Sequence, residues 1–376
     1  MTPSIVEVKT RSQLKKWVEF PNELYKNNEY YVPFMFEDEM SYFTPQKNPA
    51  YSYCETKLFL AYHGKKIVGR IGVLINKAYN EKWDKRAIRF TRFDFIDDYD
   101  VSAALFAEVT GWAKERGLTQ VNGPIGFHDM DHEGMLVEGF DQLNMSITFY
   151  NHPYYLAHME RLGLRKDIDW VEYKVYMPNK PNERIAKISD YVIKRHGFKL
   201  VTYDKRKDLI SDAREAFDVI DEAFSKLYGT VPLTKEVVQK AIDDNISIVN
   251  LKYVCSIKDR DGKLVAFALM VPSIAKALKK CNGKLLPFGF IPVLNAINGK
   301  NDVLEMYFVA VKPEYQKAGL PGIIMNALVT RCIENGVTYC ETGPELETNT
   351  NVQSLWKTFK VEQHKRRRCF IGDIEA

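Results

Sequence analysis

No long apolar segment occurs in this sequence. Its hydrophobic runs all stay below the roughly 18 to 20 residues that a membrane-spanning helix needs. The first residues, MTPSIVEVKTRSQ, are too polar to contain the apolar middle of a signal peptide. We therefore expect a cytoplasmic protein that makes no stable insertion into a membrane.

Cysteine is scarce and widely spaced. The chain has six cysteines in 376 residues, with no Cys-x-x-Cys pair and no histidine near them at zinc-site spacing. This pattern predicts reduced, mostly packed thiols and no metal site. The six residues are Cys54, Cys255, Cys281, Cys332, Cys340 and Cys369.

A strong excess of one charge is also missing. The formal net charge is +4, and acidic and basic residues are well mixed along the chain. Such a balance gives a mild preference for anionic small molecules but no basic surface of the kind that nucleic acids need. We therefore expect no nucleic-acid partner.

The chain is long enough for two domains, since 45% of its 376 residues are hydrophobic. Both halves show a strand, one or two helices, an apolar hairpin, a third strand, and then further helices and strands. No residue-level repeat is visible. The shared order predicts two copies of one mixed α/β domain, over residues 1–178 and 179–376.

The stretch VAVKPEYQKAGLPG, residues 309–322, joins a strand to a helix through a turn that contains Gly319. Unpaired backbone N–H groups and a positive dipole end make a helix N-terminus suitable for a phosphate. An ordinary strand-to-helix turn, with Pro321 in the first helical turn, explains the same residues. These residues alone leave both interpretations open.

The surrounding residues resemble the GNAT superfamily of acyl-CoA-dependent N-acyltransferases. The central GNAT motif has Val-x-Pro, then Gln or Arg, two residues, Gly, one residue, and Gly or Ala. Its positions here are Val311, Pro313, Gln316, Gly319 and Pro321, and only the proline departs from the pattern. Further along the chain, an asparagine and the helix LWKTFKV (355–361) also match.

The resemblance covers the second half from about residue 198, and the first half more weakly, around HMERLGL (158–164). Tandem halves of this kind are similar to the Fem-type aminoacyltransferases and the N-myristoyltransferases. An uncharacterised bacterial group of two-domain GNAT-like proteins looks closest. The resemblance implies two tandem GNAT-like domains, each a twisted mixed sheet flanked by helices.

The resemblance also implies an activity, in which an acetyl or longer acyl group passes from acyl-CoA to an amine of a small molecule or peptide. Two alternatives stay open: a non-catalytic acyl-CoA-binding or structural protein, and a Fem-like aminoacyl transferase. A homodimer is a further expectation. The residues expected to contact acetyl-CoA or another acyl-CoA are Phe308, Val309, Val311, Gln316, Lys317, Ala318, Gly319, Leu320, Gly322, Asn349 and Trp356.

The expected catalytic residues follow from the same resemblance. Glu305 occupies the position of a general-base carboxylate in many relatives, although a solvated residue on the outer face is the alternative. Trp356 stands where relatives carry a tyrosine that protonates the leaving thiolate, and an indole N–H is not a suitable acid. Either the thiolate leaves unassisted or a neighbour such as Tyr339 or Cys340 assists.

The first half departs further from the family pattern. Asp97, Asp98 and Asp100 lie where a pyrophosphate would bind, so we expect no CoA there and a role in shaping the acceptor site. The loop GPIGFHDMDHEGMLVEG (123–139) can be interpreted as a metal site, a plain polar loop or an acceptor site, and we favour acceptor recognition over metal binding. The expected substrate-binding residues are His128, Asp131, His132 and Glu133.

Two basic segments remain. The insertion at 273–297 predicts an amphipathic lid, a dimer surface, a weak membrane contact or simply a packed helix with a solvated basic face. The run Lys365 to Arg368 is typical of an edge strand protected by charge, with proximity to the 3′-phosphate of CoA as the alternative.

Overall fold

The computed structural model describes residues 2–375. The first half contains the strands β1 (Ser4–Glu7), β2 (Cys54–His63), β3 (Lys66–Asn76), β4 (Ala87–Phe95), β5 (Gln120–Gly123), β6 (Met135–Glu138) and β7 (Arg165–Tyr176). Its helices are α1 (Arg11–Leu24), α2 (Phe36–Tyr42), α3 (Lys77–Lys82), α4 (Tyr99–Glu115) and α5 (Tyr155–Arg161).

The second half repeats this alternation. Its strands are β8 (Lys199–Val201), β9 (Val254–Lys258), β10 (Leu264–Pro272), β11 (Val303–Val311), β12 (Tyr339–Thr342), β13 (Glu345–Leu346) and β14 (Lys360–Asp373). Its helices are α6 (Glu183–His196), α7 (Arg206–Phe224), α8 (Lys235–Asn245), α9 (Ala275–Cys281), α10 (Phe290–Asn298), α11 (Leu320–Glu334) and α12 (Thr350–Gln353). The expected mixed α/β class is confirmed.

Both halves share one pattern of strand pairing. β2, β3 and β4 form an antiparallel meander, and β4 then pairs in parallel with β5 across α4. In the same way β9, β10 and β11 are antiparallel, and β11 pairs in parallel with β12 across α11. The duplicated order expected from the sequence is therefore visible in the hydrogen bonding of the sheet.

All strands belong to one sheet. Its order is β1-β2-β3-β4-β5-β14-β7-β12-β11-β10-β9-β8, and β6 and β13 pair with β14 and β7 respectively. The C-terminal strand β14 lies between β5 and β7 and is antiparallel to both. A strand from the second half thus completes the sheet of the first half. The division at residue 178 remains a prediction.

The helices leave two packed faces in the second half. On one face, Leu304 and Met306 of β11 join a core beneath α11. On the other face, α7, α9 and α10 cover β10 and β11, with Val219, Leu278 and Val293 in that core. Successive side chains of a strand point to opposite faces, so neighbouring residues of β11 serve different environments.

The basic run of β14 lies in the middle of the sheet, so its interpretation as an edge strand is wrong. Lys365 and Arg367 are fully buried. Lys365 Nζ lies 3.3 Å from Glu172 Oε2 and 3.1 Å from Glu341 Oε2, and Arg367 also pairs with Glu172. The neutralising carboxylates come from β7 and β12, which are distant in sequence. The sequence alone therefore shows only the basic half of the network.

Glu172 is the centre of this network. Burial disfavours its charged form, but Arg367 and Lys365 outweigh that effect and lower its pKa to about 2. Arg367 Nη2 also donates to Asn144 Oδ1 at 2.9 Å. Each buried charge therefore has a partner, as buried ionic groups require.

We expect Arg367→Ala to lower the free energy of unfolding by about 3–5 kcal/mol, because it leaves the Glu172 carboxylate buried without its closest partner. Arg165→Ala is the matched control, since the exposed Arg165–Asp373 pair bridges the same two strands. That variant should cost less than about 1 kcal/mol. Urea unfolding measures both, and equal losses would show that burial of the charge does not decide the effect.

Candidate active site

Strands β11 and β12 separate in the middle of the second half. They pair from Val303 to Met306, and the last contact is the hydrogen bond from Gly343 N to Met306 O at 3.0 Å. β11 then continues to Val311 with β10 as its only strand partner. A register shift opposite Leu269 and Met270 places Tyr307 at a bulge. The strand edge from Tyr307 onward is consequently open.

A cavity of about 420 Å³ lies at this opening. Such a volume is within the range of small-molecule sites. Its wall has a polar part, to which both halves contribute, and an apolar part that comes from α7, α8, the segment after α8 and β10. The apolar part contains Leu209, Ala213, Ala216, Phe217, Ile220, Phe224, Val237, Ala241, Ile242, Ile246, Val249, Phe267 and Leu269.

The polar part contains buried groups that lack partners. His128 Nδ1, Asp129 Oδ1, Glu133 Oε2 and Glu345 Oε2 have no hydrogen-bond partner within residues 2–375. Burial lowers the pKa of His128 and raises the pKa values of Asp129 and Glu133. Unsatisfied buried polar atoms are costly, so this end of the cavity is suited to a polar ligand group.

Glu345 lies where the cavity meets the opening between the strands. Trp356 Nε1 donates a hydrogen bond to Glu345 Oε1 at 2.8 Å, and Oε2 is buried without a partner among residues 2–375. Burial raises the pKa of Glu345 to about 7. A carboxyl group with this pKa accepts and releases protons near neutral pH.

Glu305 is buried, with 2% of its surface exposed, so the alternative of a solvated outer-face residue is wrong. Ser273 Oγ donates to Oε1 at 2.7 Å and Ser146 Oγ donates to Oε2 at 3.3 Å. Burial raises its pKa to about 7. Glu305 does not line the cavity. Tyr307 does line it, and its hydroxyl lies 3.3 Å from Ser146 Oγ, the group that also contacts Glu305.

The other two expected catalytic residues do not reach the cavity. Cys340 is fully buried, with its Sγ 4.0 Å from Cys332 Sγ in the core beneath α11. Tyr339 begins β12, three residues before the strand ends at Thr342, and its ring lies 5.9 Å from that of Tyr176. The structure therefore brings neither side chain to the opening.

The loop expected to recognise the acceptor does reach the cavity in part. His128, Asp131 and Glu133 line it, whereas His132 packs against Phe34 outside it. Asp131 also forms a buried ion pair with Arg92 at 2.9 Å, and despite its burial this pair lowers the Asp131 pKa. Asp131 thus fixes the loop to β4 through Arg92, whereas His128 and Glu133 line the cavity and each has a polar atom without a partner.

The expected acyl-CoA residues fall into two groups. Phe308, Val309, Asn349 and Trp356 line the cavity. The others follow along the strand end and the turn that leads into α11, and they lie outside the cavity. This second group comprises Val311, Gln316, Lys317, Ala318, Gly319, Leu320 and Gly322.

Gly319 is the N-cap of α11 and has a φ of 82°, a left-handed conformation that favours glycine. The amide groups of Gly319 and Leu320 have no backbone partner among residues 2–375. Pro321 occupies the first helical turn, where its missing N–H costs the helix nothing. In the first half, by contrast, Asp98 caps α4 with its own carboxylate.

Comparisons with known proteins agree with this geometry. The model of the Acetyltransferase (GNAT) family matches residues 217–359. The chain is similar to Protein YghO of Escherichia coli (26% identity over 372 residues, covering 97% of this chain and 94% of that protein). It is also similar to the bacterial ceramide synthase of Caulobacter vibrioides (24% identity over 377 residues, covering 98% and 96%).

Among solved structures, the chain resembles a tandem GNAT protein from the clavulanic acid biosynthesis pathway. The TM-score is 0.55 at 11% identity, and the match covers 100% of this chain and 99% of the other. The second half therefore matches the GNAT family, and the resemblance carried by the Val311 to Pro321 motif is confirmed. The structural likeness shows that the whole chain has the fold of a tandem GNAT protein.

Sequence reasoning missed Glu345, Asp129 and the apolar wall. Glu345 follows the strand TYCETG by way of Pro344, and a carboxyl group directly after a strand end was the available signal. The cavity residues of α7 repeat at helical spacing and look like ordinary core positions. Among residues 2–375, no cluster of His, Cys, Asp and Glu fits a metal, and no helix is long and apolar enough to cross a membrane.

The buried Glu305 should make stability depend on pH. Its pKa is raised from 4.5 to about 7 in the folded state, so the unfolded state ionises first as pH rises. Between about pH 4.5 and 7 the free energy of unfolding should fall by about 3 kcal/mol from this residue. Urea unfolding of Glu305→Gln should show a flatter pH dependence than wild type.

The exposed Glu314→Gln serves as the control for this comparison and should keep the wild-type slope. If Glu305→Gln and wild type show parallel stability curves over this pH range, the carboxyl group of Glu305 does not ionise as its burial implies.

Proposed function

We propose that the protein is an acyl-CoA-dependent N-acyltransferase that transfers a long acyl chain to an amine. The observation that carries this proposal is the cavity at the opening between β11 and β12, which joins an apolar wall to a group of buried, unpaired polar atoms. The acyl chain of a thioester needs the apolar environment, and an amine acceptor needs the polar one.

The CoA portion fits the open edge of β11 and the turn beyond it. Main-chain groups from Tyr307 onward have no strand partner on this side and are free to pair with the pantetheine arm. The unpaired amides of Gly319 and Leu320, at the N-terminus of α11, suit the pyrophosphate. The residues present therefore fit CoA, despite Pro321.

The apolar wall supports an acyl chain longer than acetyl. Its side chains come mainly from two helices and β10, and none of them carries a polar atom. Each methylene buried in such a site adds about 0.8 kcal/mol of favourable transfer energy. The similarity to a bacterial ceramide synthase supports the same choice, since a ceramide is a fatty acid amide.

The polar part of the cavity is the proposed place for the amine. The nitrogen attacks the thioester carbonyl, the C–S bond breaks so that CoA leaves as a thiolate, and the nitrogen loses a proton to a base as the amide forms. Glu345 is our choice for the base that takes this proton, because the residue lines the cavity and its Oε2 has no hydrogen-bond partner. Glu305, with both oxygens bound by serines, is a positioning group that Ser146 links to Tyr307.

A second candidate is an acyl-CoA-binding protein without catalysis. Trp356 favours it, because an indole takes the position of the expected tyrosine and its N–H is already bound to Glu345. On this alternative the thioester binds in the same place but is not cleaved by amines.

Calorimetry with a series from acetyl-CoA to palmitoyl-CoA tests both the binding of acyl-CoA and the preference for a long acyl chain. We expect the affinity to increase by at least about 100-fold along the series, because added methylenes enter the apolar wall. Gly319→Glu should abolish binding of every member, since a carboxylate there repels the pyrophosphate. Ala216→Trp, which places a large side chain in the apolar part of the cavity, should weaken the binding of only the long-chain members.

Gly336→Glu is the matched control, because it places the same charge on another left-handed glycine, after the far end of α11. Absence of binding by wild type would refute the cofactor assignment. Equal affinities for acetyl-CoA and palmitoyl-CoA would restrict the proposal to short acyl groups.

Thiol release from acyl-CoA in the presence of long-chain amines tests the base. Wild-type kcat should rise with pH through about 7, where Glu345 ionises. Glu345→Gln should lower kcat by about 10²- to 10⁴-fold and remove this rise. If Glu305→Gln removes the rise and Glu345→Gln does not, the base is Glu305, and no release by wild type favours the non-catalytic alternative.

A further inference from the structure

Exposed hydrophobic side chains concentrate in one short segment. Within residues 2–375, five of the nine large hydrophobic side chains with high exposure lie between residues 286 and 294. We call these five residues the apolar tip. They are Leu286 (71% exposed), Phe288 (71%), Phe290 (40%), Ile291 (46%) and Leu294 (46%).

The segment that carries the apolar tip is anchored to the rest of the molecule. Lys279 Nζ donates to the main-chain oxygens of Asn28, Glu29 and Tyr31 at 3.2, 2.8 and 2.7 Å. Phe36 N donates to Gly283 O at 2.9 Å. The exposure of the tip is therefore the property of a folded projection with a fixed base.

The projection also has one sign of charge. Residues 273–300 contain five lysines and no acidic residue. Lys276 and Lys280 are exposed and form no ion pair in the described part of the chain, whereas Lys284 pairs with Glu19 at 2.7 Å. Apolar side chains beside unpaired lysines are complementary to a bilayer that contains anionic lipids.

The position of the projection relates it to the candidate active site. Ser273, which donates a hydrogen bond to Glu305, lies two residues before α9. At the other end of the segment, Asn301 Nδ2 donates a hydrogen bond to Ser273 O at 3.1 Å. The segment thus leaves the sheet and rejoins it beside the buried carboxyl group.

We propose that residues 273–300 dock the protein on an anionic membrane surface. The apolar tip enters the headgroup region, and Lys276 and Lys280 face the lipid phosphates. A second copy of the chain fits less well, because a two-fold symmetric contact brings the same lysines of both copies together. This binding goes beyond acyl transfer and does not require it.

Co-sedimentation with vesicles tests the proposal without any acyl-CoA. Wild type should bind vesicles of phosphatidylglycerol mixed with phosphatidylcholine much more strongly than vesicles of phosphatidylcholine alone, and salt should weaken the binding. The double variant L286S/F288S should lose at least about tenfold in binding. K276Q/K280Q should lose about 25-fold, or about fivefold for each lysine.

Two control variants carry equivalent changes elsewhere. Ile188→Ser removes an exposed hydrophobic side chain from α6, and K65Q/K66Q removes two exposed lysines where the turn after β2 leads into β3. Both should bind vesicles as wild type does. The substituted tip residues are exposed, so thermal unfolding should show that L286S/F288S remains folded.

Three outcomes would overturn the proposal: no binding of wild type to anionic vesicles, unchanged binding of L286S/F288S, or equal losses in the control variants. Sedimentation velocity without lipid adds a fourth. If wild type is a dimer and L286S/F288S is a monomer, the tip is a contact between copies. None of these results depends on acyl-CoA binding, so a failure here is separate from a failure of the proposed function.

Discussion

The ion network around Glu172 is the constraint on which the rest of the structure depends. Lys365 and Arg367 enter the centre of the sheet on β14, and the carboxylates that neutralise them belong to β7 and β12. A buried charge without its partner is strongly unfavourable, so β14 has one acceptable register between its neighbours. The network thus joins the first half, the second half and the C-terminal strand in a single arrangement.

The candidate active site follows from this arrangement. The loop after β5 contributes His128, Asp129, Asp131 and Glu133 to the polar wall of the cavity, and the apolar wall comes mainly from α7 and α8 of the second half. These segments face each other because β7 and β14 connect the two parts of the sheet. Glu341, which pairs with Lys365, also lies beside Glu305 on the neighbouring strand. The ion network therefore acts on the pKa of Glu305: burial is the largest cause of its rise, Glu341 adds to it and Lys365 opposes it.

Sequence reasoning reached the features that depend on local pattern. The strand, turn and helix around Gly319 formed as expected, because glycine and helix-start signals act over a few residues. The position of β14 in the middle of the sheet could not be predicted. Its basic residues resemble a solvated run in the sequence, because their partners Glu172 and Glu341 lie far away along the chain. The cavity wall was equally hidden: residues such as Ala213 and Ala216 follow the period of a core helix whether or not a space lies in front of them.

The position of β14 also bears on how the chain is made. Residues 360–373 leave the ribosome after every other strand, yet they fill the gap between β5 and β7. Until β14 has been made, the edges of β5 and β7 that it will fill are unpaired. The Glu172 carboxylate, which becomes buried in the folded protein, also lacks Lys365 and Arg367 as partners. Open edges of this kind pair readily with other chains. During synthesis the first half is therefore the part of the molecule that most needs protection from aggregation, and it becomes complete only when the last strand arrives.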